Sequence, residues 1–335
     1  MKKSLFFLLV LSGLGLFSCS NEVDLTGEYK DTPIVYCLLN PKDTAHYIRI
    51  QKAFLVDGNV LQTAKIPDSL TYNPSDLDVK IVALSQVDSN LTDTITFAYQ
   101  PGAVTDTGLF AKEGIMLYKS TAELNVFAQY KLLIVNKKLN KKITSRTGLV
   151  YSFVFKTPSG SGVVNLNSTS LTGYTLRWIS AVNGRIYQPE IVFRWREVPL
   201  SDPNSAGTPD SLVWRLTAKE STSNALGAEM DLNLPQNSFY RYVGEHVPVK
   251  TGIKRVIGML SFRFYVGTQE LATYVDVNKP SVGLIQEKPV YTNITNGLGI
   301  FSGRSLFVKD MSMGDPGKDT LIFGKFTDKL SFRKL

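Results

Sequence analysis

Cysteine and histidine each occur only twice among 335 residues. That scarcity excludes a disulfide-stapled scaffold, a four-ligand Cys/His zinc site and most histidine-centred catalytic schemes. His46 and His246 are far apart in the chain and form no helical metalloprotease pair. Neither a G-x-S-x-G nucleophile elbow nor a phosphate-binding P-loop is present. Also lacking is any helix-period stretch longer than about twelve residues, which argues against an α/β fold. What is abundant points to strands: 18 Phe and 15 Tyr suit a pleated, half-buried surface. Hydrophobic residues at 43% and charged residues at 20% make an ordinary globular composition, and the length suggests roughly two domains. The 37 Lys and Arg against 29 acids leave a formal charge of +8.

The longest apolar run lies at the beginning. Lys2 and Lys3 precede Leu5 to Phe17, too short a run to cross a bilayer of about 30 Å. It ends in Leu16-Phe17-Ser18-Cys19. This resembles a bacterial lipobox, in which a small residue precedes a cysteine that is lipidated and becomes the new amino terminus. Residues 1–18 are expected to be a lipoprotein signal peptide and Cys19 the lipidated residue; the alternative is an ordinary secretory signal. Losing Lys2 and Lys3 lowers the formal charge from +8 to +6. Several acyl chains on one cysteine make a lasting anchor where a single chain would not. After Cys19, the polar stretch to residue 32 reads as a tether, reaching at most about 45 Å. Cys37 is left without a partner in the apolar run Ile34–Leu39 and reads as a buried small hydrophobe.

Beyond the tether, β-branched and aromatic runs alternate with Gly, Pro, Asn and Asp turns. Strands are expected over Pro33–Leu39, Tyr47–Leu55, Asp78–Gln86, Thr94–Tyr99, Gly114–Lys119, Gln129–Asn136 and Leu149–Lys156. A short helix is expected around Val60–Leu70. This density of strands fits an immunoglobulin- or fibronectin-III-like sandwich over residues 33–157. Leu124, six residues before Tyr130, resembles the tyrosine corner of such sandwiches. The small-residue stretch Thr157–Gly162 marks a boundary. Residues 163–335 then form a second, mainly β domain, so the fold class is all-β. Its strands are expected over Tyr174–Ile179, Glu190–Val198, Ser211–Thr217, Arg255–Val266 and Glu270–Val277, the last two joined by a hairpin turn at Val266–Gln269. Thr320–Phe323 and Leu330–Arg333 are expected to close the sheet.

Two basic patterns stand out. Arg177 adjoins Trp178, Arg194 and Arg196 flank Trp195, Arg215 follows Trp214, and Arg263 separates Phe262 from Phe264. Strand neighbours point to opposite faces. Aromatics are therefore expected in the core and arginines on an outer face, either merely solvated or suited to carboxylate and phosphate groups. The opposite assignment would expose Trp178, Trp195 and Trp214 as a sugar-stacking platform. Lys137, Lys138, Lys141 and Lys142, with Arg146, form the densest charge cluster. A hairpin tip is expected there, one that discourages edge pairing or touches anionic headgroups. Asp310, Asp315 and Asp319 surround Gly314 and Gly317 without EF-hand spacing, so a solvated loop is preferred over a calcium site. Gly297, Gly299 and Gly303 lack the βαβ context of a dinucleotide site, and Asn296-Gly297 favours a tight turn. No cofactor, metal site or nucleic-acid partner is expected.

The lipobox, the opening Thr32-Pro33-Ile34-Val35-Tyr36-Cys37-Leu38-Leu39-Asn40-Pro41 and the run Tyr47–Phe54 together resemble a family of Bacteroidetes outer-membrane lipoproteins. So does Val290–Gly303, whose N-G-x-G-x-F-x-G segment is the most specific part. The family is the domain-of-unknown-function family numbered 4249. The resemblance implies a palmitate-type lipid anchor in the outer membrane. It also implies an accessory role at a TonB-dependent transporter, with an outer-membrane protein as partner. It supplies no catalytic residues. Asn293, Asn296, Gly297, Gly299, Phe301 and Gly303 are the family motif, a possible binding segment or a structural turn. Five Asp-Ser/Thr-apolar triplets, beginning at Asp43, Asp68, Asp93, Asp210 and Asp319, are similar to O-glycosylation acceptors of that phylum. The expected function is a non-catalytic accessory or binding lipoprotein of the cell envelope. The alternatives are a glycan-binding surface lipoprotein, which needs at least two exposed tryptophans, and a hydrolase built around His46 or His246.

Overall fold

The computed structural model describes residues 31–53, 71–101, 116–160, 162–166, 173–223, 225–279 and 290–334. Cys19, Asp68 and the helix expected around Val60–Leu70 lie outside the described residues. The first eight strands are β1 (Pro33–Leu39), β2 (His46–Lys52), β3 (Leu77–Ser85), β4 (Leu91–Thr96), β5 (Ala98–Gln100), β6 (Met116–Ser120), β7 (Ala128–Asn136) and β8 (Lys141–Gly148). Alternation drives them together: β7 buries Ala128, Tyr130, Leu132, Ile134 and Asn136 and leaves the residues between them half-buried. Their order is β1-β2-β6-β5 in one sheet and β4-β3-β7-β8 in the other. This is the A-B-E-D and C′-C-F-G arrangement of immunoglobulin-like sandwiches.

Two sequence expectations change here. Thr94–Tyr99 is not one strand, because the chain crosses between the sheets at buried Phe97, leaving β4 in one and β5 in the other. The last sandwich strand is Lys141–Gly148 rather than Leu149–Lys156. Its sequence is polar, yet Ile143, Ser145 and Thr147 face inward, and the Ser145 hydroxyl donates to Asn293 O at 2.7 Å. The tyrosine corner is present. Asn125 N–H donates to Tyr130 Oη at 2.7 Å beside buried Leu124. Tyr130→Phe leaves that N–H without its acceptor and is expected to cost about 1–2 kcal/mol. A lower urea midpoint at unchanged slope would be its signature.

The remainder comprises β9 (Val154–Thr157), β10 (Val163–Val164), β11 (Tyr174–Ile179), β12 (Ile186–Pro199), β13 (Thr208–Arg215), β14 (Lys219–Glu220), β15 (Glu229–Leu234), β16 (Ile253–Gly267), β17 (Leu298–Met313) and β18 (Phe332–Arg333). Among the described residues three α-helices accompany them: α1 (Ser238–His246), α2 (Gln269–Val277) and α3 (Asp315–Phe323). The main sheet runs β13-β12-β16-β17, and β15-β11-β9 forms a second sheet. A core containing Trp178, Tyr187, Phe193, Trp195, Phe262 and Phe264 is shared between them, with Trp178 and Phe264 ring centroids 4.9 Å apart.

Glu270–Val277 is helix α2, not a strand, and Val266–Gln269 leads from strand to helix rather than turning a hairpin. Thr273, Val275 and Val277 lent the segment a strand-like composition. Only Ala272 of α2 is fully buried, so no apolar period announced a helix. Thr320–Phe323 belongs to α3 for a related reason: its single buried apolar side chain is Leu321.

Strand β17 was not foreseen and organises the molecule. Its first half pairs in parallel with β1, from Ile34↔Leu298 to Leu39↔Gly303. Its second half pairs antiparallel with β16, from Gly267↔Arg304 to Met259↔Ser312. Ile294 and Phe301 therefore complete the first core, although nearly 150 residues separate them from the end of β8. The two halves of the chain share one strand instead of meeting at a linker. At the junction, the hydroxyls of Thr147 and Thr268 donate to the Glu270 carboxylate. Thr268 Oγ1 also lies 2.8 Å from Ser302 Oγ, and Gly303 N–H donates to Thr147 Oγ1 at 3.1 Å.

Candidate functional site

The motif segment is built into the first sandwich. Residues 293–296 run beside β8, with Thr144 and Thr295 bridged, and turn at Asn296 (φ 61°) and Gly297 into β17. Asn293 Nδ2 donates to Phe301 O at 2.7 Å, and its Oδ1 accepts from Phe301 N–H at 3.0 Å. Asn296 Nδ2 donates to Lys142 O at 2.9 Å. A Cβ on Gly299 would lie 2.0 Å from Val35 O, and one on Gly303 2.2 Å from Gly148 O. Phe301 is fully buried. These side chains close the gap between β1 and β8 and spend their polar atoms on neighbouring backbone.

The arginine pattern separates as alternation requires, with one correction. Arg194, Arg196, Arg215 and Arg263 lie on the outer face of the main sheet, opposite the core aromatics. Arg177 belongs to the other sheet, where it opposes Asp231, because β11 never joins the main sheet. Two acids, Glu190 and Asp310, are interspersed among these four arginines. Arg215 pairs with Glu190 at 3.0 Å, and Arg263 lies opposite Glu190 on the next strand. Arg194 donates to Ser261 Oγ, which donates to the Asp310 carboxylate. Arg196 reaches Ala206 O at 3.1 Å. The face is thus a mixed-charge surface with an arginine excess.

Trp178 and Trp195 are buried, and Trp214 is half-buried against Tyr242 with ring centroids 5.4 Å apart. A sugar platform needing two exposed tryptophans is therefore not formed: all three indoles lie on the core side of their strands.

An open hollow on the outer face is lined by Gln188, Glu190, Val213, Arg215, Tyr242, Arg263 and Tyr265. It shares Gln188 and Tyr265 with a mainly apolar cleft of about 430 Å³ at the junction of the two halves. That cleft gathers Leu38, Ile186, Val266, Leu271, Val275 and Leu306, with Arg304 and Asp43 paired across 3.6 Å at its polar end. Its walls come from four separate stretches of sequence, so no local pattern could have found it. Tyr265, Val213, Met259, Val308 and Val275 remain substantially exposed along this side.

Lys137, Lys138, Lys141 and Lys142 occupy the β7–β8 hairpin, whose tip carries Asn140 at φ 47°. Arg146 lies farther along β8, opposite Lys131. His46 is buried, and burial holds its imidazole below the usual range. His246 stacks on Tyr242 with ring centroids 3.9 Å apart. Neither histidine lines the hollow or the cleft. Asp315 and Asp319 sit on α3 and pair with Lys334 at 3.9 and 2.7 Å; of the three aspartates expected in a loop, Asp310 lies instead within strand β17 and the other two on a helix. Among the described residues no group of three His, Cys, Asp or Glu is placed to hold a metal ion.

No family model matches the chain, and no curated protein matches it. Among solved structures it shows a slight similarity to the C-terminal globular domain of an oligosaccharyltransferase from Pyrococcus abyssi. The identity is 11% and the TM-score 0.21, over 87% of this chain and 51% of that one. The chain thus spans about half the length of that structure, and a likeness at this level carries no argument.

Proposed function

We propose that the chain is a lipid-anchored outer-membrane lipoprotein, held through Cys19, that acts without catalysis as a binding subunit of an outer-membrane complex. The transporter-type partner follows from the resemblance to family 4249. The observation that carries the binding role is the continuous outer surface of β12, β16 and β17, where a charged hollow meets an apolar cleft. Apolar surface beside convergent polar groups is what a protein partner's exposed loops require. The tether also suits this surface. From Pro33, β1 runs toward the junction, where Leu39 pairs with Gly303. The binding face therefore lies toward the end of β1 away from the segment that leads to Cys19 in sequence.

Cys19→Ser is expected to shift the protein from the membrane to the soluble envelope fraction, and intact mass should show loss of the acyl groups. Tyr265→Asp should leave membrane attachment unchanged but remove a co-purifying barrel protein in mild detergent. Recovery of no barrel protein with the parent chain would count against the accessory role. Intact mass also tests glycosylation. Thr44, Thr94 and Ser211, the hydroxyl residues of three of these triplets, are exposed.

A further inference from the structure

We propose that the β7–β8 hairpin tip is a docking surface for anionic lipid headgroups, fixing how the protein stands on its membrane. The inference rests on the lipid-anchor reading but uses different observations. Lys137, Lys138, Leu139, Asn140 and Lys142 are all exposed, with Leu139 at 44%. An apolar side chain flanked by paired lysines is the arrangement that enters a headgroup layer, the leucine inserting and the ammonium groups meeting phosphates. Among the described residues, none of the four tip lysines forms an ion pair with an acid.

The tip also lies where the tether begins. Lys141 Nζ donates to Asp31 O at 2.7 Å, and Lys52 pairs with the Asp31 carboxylate at 3.9 Å. Lys138 and Leu139 line the same hollow as Asp31, Lys52 and Asp76. Three cations, Lys52, Lys138 and Lys141, thus gather beside Asp31, among the last residues of the segment read as the tether, where the acids are Asp31 and Asp76; Lys137 and Lys142 add two exposed charges on the same hairpin. The opposite end of β8, Gly148, touches Gly303 at the junction. Chain direction therefore places the tip at the membrane end and the β12–β13 loop at the distal end. The same charges would suit an acidic protein, but Leu139 at the centre and the tether at the margin favour a lipid surface.

The test uses the lipidated protein in vesicles, with an environment-sensitive fluorophore on Leu139→Cys. Cys37 is buried, and burial pushes its thiol pKa up, so labelling is selective. A second label at Asn204→Cys reports on the distal loop. In vesicles of phosphatidylcholine mixed equally with phosphatidylglycerol, the Leu139 label should shift to the blue and resist an aqueous quencher; the Asn204 label should do neither. Adding Lys137→Glu and Lys138→Glu should lower the docked-to-free ratio at least about 25-fold, at roughly five-fold per lysine, with near-UV circular dichroism unchanged. High salt should have the same effect. A Leu139 label that stays aqueous on these vesicles, or shifts equally on phosphatidylcholine alone, would overturn the proposal. A shift appearing only after addition of membrane proteins would assign the tip to a protein partner instead. Vesicle flotation reads the anchor separately, so loss of flotation indicts Cys19 lipidation and not the tip.

Discussion

Gly299→Val is expected to unfold the first sandwich's closing strand, at a cost of about 4 kcal/mol or more. Gly299 has φ +107°, and its Cβ would lie 2.0 Å from Val35 O, with the Val35 backbone N and C also within about 3 Å. The obstacle is backbone on the paired strand, which cannot rotate away as a side chain does. Relief requires β17 to move off β1, uncovering Phe301 and Ile294. Removing a buried Phe from a core costs about 3–5 kcal/mol, which sets the scale. Gly252→Ala supplies the control: it has φ +73° but open space around its Cβ, so only the conformational cost of about 1–2 kcal/mol applies. Urea unfolding of both variants separates backbone conformation from steric displacement. Equal losses would mean that close approach of β17 to β1 contributes nothing.

The second large effect concerns the far end of the molecule. Arg255 is fully buried and donates to Glu197 at 3.1 Å, Leu330 O at 2.7 Å and Pro248 O at 2.8 Å. Lys250 Nζ lies 2.8 Å from the other Glu197 oxygen, and the guanidinium sits 5.9 Å from the Phe332 ring centroid. One side chain thus ties β16 to β12, to the loop after α1 and to the last strand. Arg255→Met removes a buried partner while leaving a mostly buried carboxylate and two carbonyls behind. A loss of about 3–5 kcal/mol is expected, seen as a large drop in thermal midpoint. Changing Arg255 and Glu197 together to apolar residues should recover part of it, because no buried unpaired charge then remains and Lys250, left without Glu197, is half-exposed to water.

Acid should expose the same cluster. Burial raises the Glu197 pKa, but hydrogen bonds from Lys250 and Arg255, together with their charges, outweigh it and hold the carboxyl below its ordinary value. A depressed folded pKa gives stability that is present above the unfolded value of about 4.3 and is lost as pH falls through the folded pKa. Glu197→Gln should therefore be less stable than the parent at neutral pH and lose less on acidification below that value. Parallel acid limbs for the two proteins would contradict the assignment.

Residues whose role is local could be read from the chain directly. Tyr130 and Leu124 lie within one corner, and their spacing sufficed. The core aromatics Phe193, Trp195, Phe262 and Phe264 were legible because alternation in a strand assigns faces without knowledge of its neighbours. Cys37 followed from its apolar flanks. By contrast, Lys141–Gly148 hid among charges, and α2 hid behind β-branched residues, since each is stabilised by what it packs on more than by its own propensity.

The sequence by itself therefore determined an all-β chain, an immunoglobulin-like first unit, the inward and outward faces of its long strands and a lysine-rich hairpin. Tertiary structure alone decided that Leu298–Met313 would be one strand shared by both halves. Its parallel partner β1 lies some 260 residues away, and pairing at that separation leaves no local period. The glycines signalled tight backbone, but not whose backbone approaches them. The junction cleft was likewise decided only on folding, because its apolar walls become neighbours after β17 has joined the two sheets. Short-range chemistry fixes which way a side chain points; long-range pairing fixes what it meets.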